Sequence, residues 1–360
     1  MLTAIIFVIV LGVLIFVHEF GHFIFAKRAG MKVEEFGFGF PPRLWGKKKG
    51  ETTYSINLIP FGGFVKILGE EGEHRNDPGS FSSKSFGAKL KVIVAGVTMN
   101  FLLAVFLLMI VNFLGLRIGL IDAQTAVLAQ DKQIQIIQIA ENSPAEEVGL
   151  RLLDEIKGFR VGGQTTVVGT VEETQYLIKQ NAGRPITLLV ERNGEPIERE
   201  ITPRKDPPQG QGALGVSLAL TGVVSYPWYE AVWRGVYDAV IIAFNTIIGY
   251  WMLFKTLLLK GKLIADVSGP IGIANLTGQA ARIGLNYLMQ FTALISINLA
   301  ILNIIPFPAL DGGRAVLIIA EKLKGSPVNK KIEQAINTVG FALLLALMVY
   351  VTVKDIVRLF

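Results

Sequence analysis

Two histidines and a glutamate stand together in the first apolar stretch of the chain, VLIFVHEFGHFIFAKRAG (residues 13–30). His18 and His22 are four residues apart, so on a helix both imidazoles lie on one face and can bind one zinc ion. Glu19, between them, can act as a general base on water. Ionisable side chains are costly at membrane depth and therefore indicate function, although buried, mutually bonded polar residues are the simpler alternative.

A third ligand is needed, because a hydrolytic zinc site usually has three protein ligands and one open position. The best candidate is Asp311, which follows two prolines in NLAILNIIPFPALDGGRA (residues 298–315). Irregular backbone after such prolines is tolerated at membrane depth only where protein buries it or it lines a cavity. Asp-Gly is also a common turn pair, so a solvated turn residue is an equal alternative. Glu321 is another possible ligand, whereas His74, in a polar loop, is expected to be solvated.

The composition places these motifs in a membrane protein. Of the 360 residues, 51% are apolar and only 18% are charged, and the mean hydropathy is +0.49, which is too apolar for a soluble chain of this length. The net charge of +6 is modest, and the basic residues cluster in particular loops, which favours membrane orientation over nucleic-acid binding. The absence of cysteine excludes disulfides, thiolate metal sites and a cysteine nucleophile.

The apolar stretches predict a multi-span α-helical membrane protein, since crossing a bilayer takes about 20 helical residues. Four transmembrane helices are predicted, at residues 1–26, 92–116, 283–311 and 335–357. A fifth apolar run, 239–254, is short. We predict that it lies on, or dips into, the outer leaflet within an amphipathic region at 216–282.

Loop charges orient these helices. Lysine and arginine concentrate in 27–91 and 312–334, so the positive-inside rule places both loops in the cytoplasm. The two termini and the region 117–282 are then extracytoplasmic, in a multi-pass membrane protein. The two histidines and Asp311 all fall towards the cytoplasmic side, where they can meet. If residues 239–254 crossed the membrane, Asp311 would lie on the opposite side from the two histidines. This is a reason to place 239–254 on the membrane surface.

The cytoplasmic loop is predicted to contain strands. EEFGFGFPPRLW (34–45) and TTYSINLIPFGGFVKI (52–67) are rich in aromatic and β-branched residues and are punctuated by Gly and Pro. Lipid cannot satisfy the hydrogen bonds of free backbone groups. A β-hairpin region as apolar as this one can therefore dip into the membrane only where it lies beside protein.

The extracytoplasmic segment is predicted to alternate strands and helices. A strand fits residues 133–140 and a helix fits 171–181. Asn193-Gly194 is a strong signal for the turn of a hairpin in the segment that follows. A Pro/Gly-rich linker at 203–215 ends this segment.

Several of these motifs together resemble the site-2 protease family of intramembrane zinc metalloproteases, the bacterial RseP type in particular. They are HEFGH, FGFGFPPRLW, IPFGGFVKI and NIIPFPALDGG, and the similarity extends over essentially the whole chain. The resemblance implies one Zn²⁺ per chain, with His18, His22 and Asp311 as ligands and Glu19 as the catalytic residue. It also implies that the protein lies in the bacterial inner membrane.

The resemblance also implies where substrate binds. The Asn of the Asn-x-x-Pro motif, implicated in contacting substrate, falls on Asn303. The inner-loop strands of the family are thought to pair with substrate at their edge, which corresponds to residues 54–66 and includes Gly62 and Gly63. Asn298, five residues before Asn303, either lines the same cavity or makes a helix–helix contact.

The extracytoplasmic segment resembles a PDZ domain, with SPAEEVGL (143–150) as its clearest signature. The resemblance implies one inserted α+β PDZ-like domain at 117–215. Such domains usually have Gly-Asp soon after that signature, where this chain has Leu153-Asp154. Because leucine resists a positive φ angle, we expect this turn to be rebuilt.

The sequence therefore predicts a zinc-dependent intramembrane endopeptidase that acts on single-span membrane proteins within the lipid bilayer. Bacterial relatives cut anti-sigma factors or signal-peptide remnants, and the sequence does not choose between these substrates. One alternative is a membrane-anchored zincin that cuts at the aqueous surface and takes its third ligand from a downstream glutamate. The other is an inactive PDZ-bearing membrane scaffold.

Overall fold

The computed structural model describes residues 2–70, 72–74, 76–120, 123–192, 194–260, 269–326 and 328–357. Within them the helices are α1 (Leu2–Arg28), α2 (Phe86–Leu114), α3 (Ala123–Leu128), α4 (Pro144–Glu147), α5 (Val171–Gln180), α6 (Trp228–Lys260), α7 (Pro270–Ile283), α8 (Leu285–Ile304), α9 (Asp311–Lys324) and α10 (Lys330–Val357). The strands are β1 (Val33–Lys49), β2 (Thr52–Ile67), β3 (Leu116–Gly119), β4 (Gln130–Ile139), β5 (Glu155–Val161), β6 (Gln164–Val167), β7 (Ile186–Arg192), β8 (Glu195–Ile201) and β9 (Val216–Val224). The chain forms two compact units, one comprising the residues up to Val111 and from Val232 onward, the other Asn112–Ala231.

Five of the described helices are long and apolar enough to cross a membrane, one more than predicted. The additional helix is α6, so the prediction of a short helix at 239–254 is wrong in extent. Asp238 and Lys255 bound the apolar run, but charged residues do not end a helix, and α6 has no proline in its 33 residues. The chain is a multi-span helical membrane protein that also contains β-sheets.

The third predicted span is interrupted as its prolines require. Instead of continuing to residue 311, α8 ends at Ile304, and Ile305 already has the extended angles φ −59° and ψ 137°. Residues 305–310 are not helical, and α9 begins at Asp311. A proline excludes the helical conformation from the residue before it, so Pro306 accounts for this end.

Small residues bring α2, α6 and α8 together. Their shared core contains Ala104, Val105, Leu108, Ala239, Ala293 and Ile297, all buried. Alanine at such positions lets helix backbones approach closely, which is the usual way helices associate in lipid. α7 packs against α1, where a Cβ added to Gly278 would stand 2.3 Å from Thr3 Cγ2.

The two strands predicted in the first hydrophilic loop are confirmed as β1 and β2, which pair with each other twice. Phe36 lies opposite both Val65 and Tyr54, and Phe38 opposite both Gly63 and Ile56. Each strand therefore bends back, and together they form a mixed sheet of four segments in the order 43–49, 52–57, 33–38 and 63–67. The two central segments run parallel to each other, and each edge segment runs antiparallel to its neighbour. Segment 63–67 is an edge, since no other described strand pairs with its outer side.

The unit Asn112–Ala231 is built on a seven-stranded sheet. The strand order is β3-β9-β4-β5-β7-β8, and β6 pairs with β5. Apolar residues from β4, β5 and β7 form its core with Ile178 of α5. The predicted strand at 133–140 and helix at 171–181 are confirmed as β4 and α5, and the predicted hairpin as β7 and β8, in which Arg192 lies opposite Glu195. Asn193, predicted in its turn, lies outside the described residues.

Leu153 adopts the positive φ angle that a leucine normally avoids, at 69°. The expectation that it would avoid this conformation is therefore wrong. Its N–H donates to the Ile136 carbonyl at 2.8 Å, and the next residue, Asp154, is buried and paired with Arg192 at 2.7 Å. Surrounding bonds of this kind hold a residue in a strained backbone conformation.

Candidate metal centre

The side chains of His18, His22 and Asp311 converge on one point. Asp311 Oδ2 lies 3.0 Å from His18 Nε2 and 3.3 Å from His22 Nε2, and the two nitrogens are 3.2 Å apart. Within the described part of the chain, this is the one cluster of at least three acidic, His or Cys residues whose donor atoms are close enough for a metal ion. The structure thus brings together the three residues that the sequence analysis selected.

Close packing of two helix backbones positions the histidines. Both lie on one face of α1 and are nearly buried, with 9% of His18 and 8% of His22 exposed. A Cβ added to Gly21 of α1 would stand 2.5 Å from the Ala95 carbonyl oxygen of α2. Only glycine permits this approach, which brings α2 against the imidazoles.

Asp311 is delivered by the irregular segment between α8 and α9. Ala309 has a positive φ of 70°, and its N–H donates to Asn337 Oδ1 at 3.3 Å. The next two residues after Asp311 are glycines, and a Cβ on Gly312 would lie 2.2 Å from the Ile305 carbonyl oxygen. The two prolines and this compact turn explain why the Asp-Gly pair turns inward to the histidines.

Both imidazoles have a polar group of α2 near their Nδ1 atom. His22 Nδ1 is 2.8 Å from the Val92 carbonyl oxygen, which can only accept, so Nδ1 carries the proton and Nε2 is unprotonated in the neutral ring. Asn100 Nδ2 lies 3.4 Å from His18 Nδ1. The sequence analysis missed Asn100, although an amide in the middle of an apolar span was a signal that could have identified it.

Glu19 lies beside the edge of the β1–β2 sheet. A Cβ added to Gly63 would stand 3.4 Å from Glu19 Cγ and 3.6 Å from Ile15 Cγ2. Aromatic contacts fix the sheet on α1, with Phe36 4.9 Å from Phe23 and 5.6 Å from Phe16 between ring centroids. The edge segment 63–67 therefore passes next to the candidate base.

The remaining predicted residues have different surroundings. Asn303 is half-buried in the last turn of α8, and Gly62 has a φ of 126° just before the edge segment. Asn298 accepts a hydrogen bond from Tyr250 of α6 at 2.8 Å and donates to the Leu294 carbonyl, so it makes a helix–helix contact. Glu321 accepts the Val328 N–H at 3.0 Å and is not in the cluster.

The cluster fits a zinc ion. Ligand atoms about 2.0–2.1 Å from a tetrahedral zinc lie about 3.3 Å apart, close to the separations measured here. Asp311 Oδ2 is buried and receives no hydrogen bond of acceptable geometry from any described residue, although two imidazole nitrogens are near. Two imidazoles and one carboxylate are also the donor set of known catalytic zinc sites.

HExxH histidines that meet a carboxylate as the third donor, among helices long enough to cross a membrane, define an intramembrane metalloprotease. The chain belongs to Peptidase family M50, the site-2 proteases, whose family model matches residues 6–347.

Individual relatives agree with this assignment. A Clostridium perfringens protein named as a candidate zinc metalloprotease is 36% identical over 345 residues, 96% of this chain and 95% of that protein. The zinc metalloprotease RasP of Oceanobacillus iheyensis is 29% identical over 441 aligned residues, covering 100% of both chains. The regulator of sigma-E protease RseP of Escherichia coli is 30% identical over 448, covering 98% of both. The protein is a zinc metalloprotease and a multi-pass membrane protein.

Proposed function

We propose that the protein cleaves the transmembrane segments of single-span substrates, using one zinc ion held by His18, His22 and Asp311. The observation that carries the proposal is the convergence of these three donor groups, 3.0–3.3 Å apart, next to Glu19. Zinc, when bound, supplies Lewis acidity and makes water nucleophilic near neutral pH.

Glu19 is the proton carrier in this proposal. Its carboxylate takes a proton from the attacking water and delivers it to the nitrogen of the leaving peptide. One C–O bond forms and one C–N bond breaks, which releases a carboxylate and an amine. His22 keeps its Nδ1–H on the Val92 carbonyl throughout, so Nε2 stays directed towards the ligand cluster.

The edge of the β1–β2 sheet is the proposed substrate site. A transmembrane helix hides its peptide bonds in its own hydrogen bonds, so it must unwind before it is attacked. The edge segment 63–67 can bind the unwound chain by strand addition next to Glu19. Gly62 and Gly63 leave room for that chain, and Asn303 binds its freed backbone. Asn298 is assigned to the contact between α6 and α8.

The proposed topology has α1 beginning and α10 ending outside the cytoplasm. Asp311 contacts the two histidines, which lie towards the C-terminal, basic end of α1. The end of α8, which leads to Asp311, must therefore lie at the same membrane depth as that part of α1. α7 packs against the first turn of α1 at Thr3, so α6 and α7 together return the chain to the side where α1 begins. In this arrangement α1, α2, α8 and α10 carry the chain from one side of the membrane to the other, and the active site lies towards the cytoplasm.

The unit Asn112–Ala231 is proposed to be a single PDZ-like domain that excludes substrates with large ectodomains. The 441- and 448-residue alignments exceed the 360 residues of this chain, so the RasP and RseP relatives contain segments that it lacks. Deleting residues 123–203 should relax selectivity without abolishing cleavage. The name of the Escherichia coli relative associates that protein with sigma-E regulation, which makes anti-sigma factors one substrate class to test beside signal-peptide remnants.

The proposal is tested with purified protein in proteoliposomes. A single-span reporter and a soluble, unstructured peptide of the same sequence are compared in wild type and Asp311→Ala. Cleavage of the reporter inside its apolar segment, lost in the variant, supports the proposal. Cleavage of the soluble peptide alone would favour a surface zincin, and cleavage of neither substrate by a zinc-loaded wild type would favour the inactive scaffold.

A further inference from the structure

Asn100 is the buried polar residue of α2 that the proposed function leaves without a role. Only 1% of its surface is exposed, and it lies within an apolar helix. Its amide nitrogen is 3.4 Å from His18 Nδ1, while its amide oxygen Oδ1 is buried and makes no hydrogen bond with any described residue. A buried amide oxygen without a partner is costly, so its location beside a candidate ligand is informative.

The chemistry of His18 determines which amide atom faces it. A neutral imidazole carries one proton, and Nε2 must be unprotonated to bind a metal, so the proton has to be on Nδ1. An Nδ1–H group needs an acceptor, and the Asn100 amide lies within hydrogen-bond distance of this atom. Rotating this amide by half a turn exchanges its nearly equivalent oxygen and nitrogen and places Oδ1 opposite Nδ1.

The second histidine already shows this arrangement. His22 donates its Nδ1–H to the Val92 carbonyl, eight residues before Asn100 on the same helix. The Asn100 backbone carbonyl also accepts the hydroxyl of Ser296, a fully buried residue of α8, at 2.7 Å. Asn100 therefore joins α1, which carries the histidines, to α8, which leads to Asp311.

We propose that Asn100 is a positioning residue of the metal site, whose amide oxygen accepts the Nδ1–H of His18 and so directs Nε2 towards zinc. The inference rests on the proposed ligand set. Outer partners of this kind fix the tautomer and the orientation of metal-binding histidines.

The test is the zinc dissociation constant of the purified full-length protein, measured by competition with a chelator. Asn100→Leu keeps the approximate size of the side chain but removes the acceptor, so zinc binding should weaken about 10–100-fold. Asn100→Asp keeps an acceptor and should bind zinc within about threefold of wild type. Thr98→Val, at an exposed position of the same helix, is the matched control and should bind like wild type.

Wild-type zinc affinity in Asn100→Leu would overturn the inference. Equally weakened zinc binding in Asn100→Asp and Asn100→Leu would also overturn it, because it would show that the site needs the shape of asparagine and not a hydrogen-bond acceptor. If the leucine variant does not give a monodisperse protein, Asn100→Ser, too short to reach the imidazole, replaces it with the same expectation. Asp311→Ala is measured in parallel. Unchanged zinc binding in Asp311→Ala would contradict the proposed ligand set. Loss of zinc in Asp311→Ala together with normal zinc binding in Asn100→Leu would contradict only the role of Asn100.

Discussion

Gly96 of α2 lies directly against the imidazole of His22. A Cβ added to Gly96 would stand 2.5 Å from His22 Nε2 and 2.7 Å from His18 Cε1. Nε2 of His22 belongs to the donor cluster, so even one methyl group here would displace the cluster. The shape of the candidate metal site thus depends on a residue that has no side chain.

Gly96→Ala should disrupt zinc binding. The added methyl group must push the imidazoles away, and overpacking of a well-packed site typically costs about 1–3 kcal/mol. If this cost falls on zinc binding, the affinity should drop about 5- to 150-fold. Gly87→Ala is the matched control, because a Cβ at that position of α2 meets nothing within 4 Å. Zinc titration of both variants checks the expectation, and equal affinities would show that the helices have room to separate.

Glu19→Gln should separate metal binding from catalysis. The amide is similar in size but cannot take up a proton, so the cleavage rate should fall by about 10²–10⁴-fold while the zinc content stays near that of wild type. The measurement is cleavage of a single-span reporter together with metal analysis of the same sample. A variant that retains more than about a tenth of the wild-type rate would remove Glu19 from the role of base.

Gly63→Val should impair substrate binding without loss of zinc. The position of its Cβ is 3.4 Å from Glu19 Cγ, so a branched side chain would occupy the space next to the base and along the sheet edge. We expect kcat/KM to fall about tenfold, which corresponds to about 1.4 kcal/mol. Gly46→Val, on the opposite edge segment of the same sheet, is the control. Equal effects of the two substitutions would indicate general damage to the sheet.

The proposed topology can be tested directly, because the chain contains no cysteine and single cysteines need no altered background. Lys48 and Gln209 are both exposed. In spheroplasts, a membrane-impermeant maleimide should label Gln209→Cys at once and Lys48→Cys only after the membrane is permeabilised. Labelling of both residues before permeabilisation would place the β1–β2 loop outside the cytoplasm.

The sequence pattern was sufficient to predict the two histidines of the cluster, because their signal is local. For Asp311 the local pattern favoured a ligand and a solvated turn residue equally, and the resemblance to the site-2 proteases selected the ligand. Four-residue spacing puts His18 and His22 on one helix face whatever the rest of the fold does. The prolines before Asp311 end α8 in any context, and the richness in aromatic and β-branched residues between Gly and Pro identified β1 and β2.

Other features of the site depend on tertiary contacts and were not predictable from sequence patterns. The closeness of α1 and α2 at Gly21 and Gly96 arises from how the two helices cross, which spacing along one helix does not reveal. The double pairing of β1 with β2 requires bends that local strand propensity does not encode. The length of α6 was missed because hydropathy measures the apolar part of a helix, and its polar first turns continue the same helix.

The most direct test of the account is the zinc content per protein of wild type, Asp311→Ala and Glu321→Ala. Asp311 is in the cluster, whereas Glu321, the alternative ligand considered from the sequence, bonds the Val328 N–H instead. We predict close to one zinc per chain in wild type and in Glu321→Ala, and loss of most of it in Asp311→Ala. A folded Asp311→Ala protein that keeps its zinc, with loss in Glu321→Ala, would contradict the account.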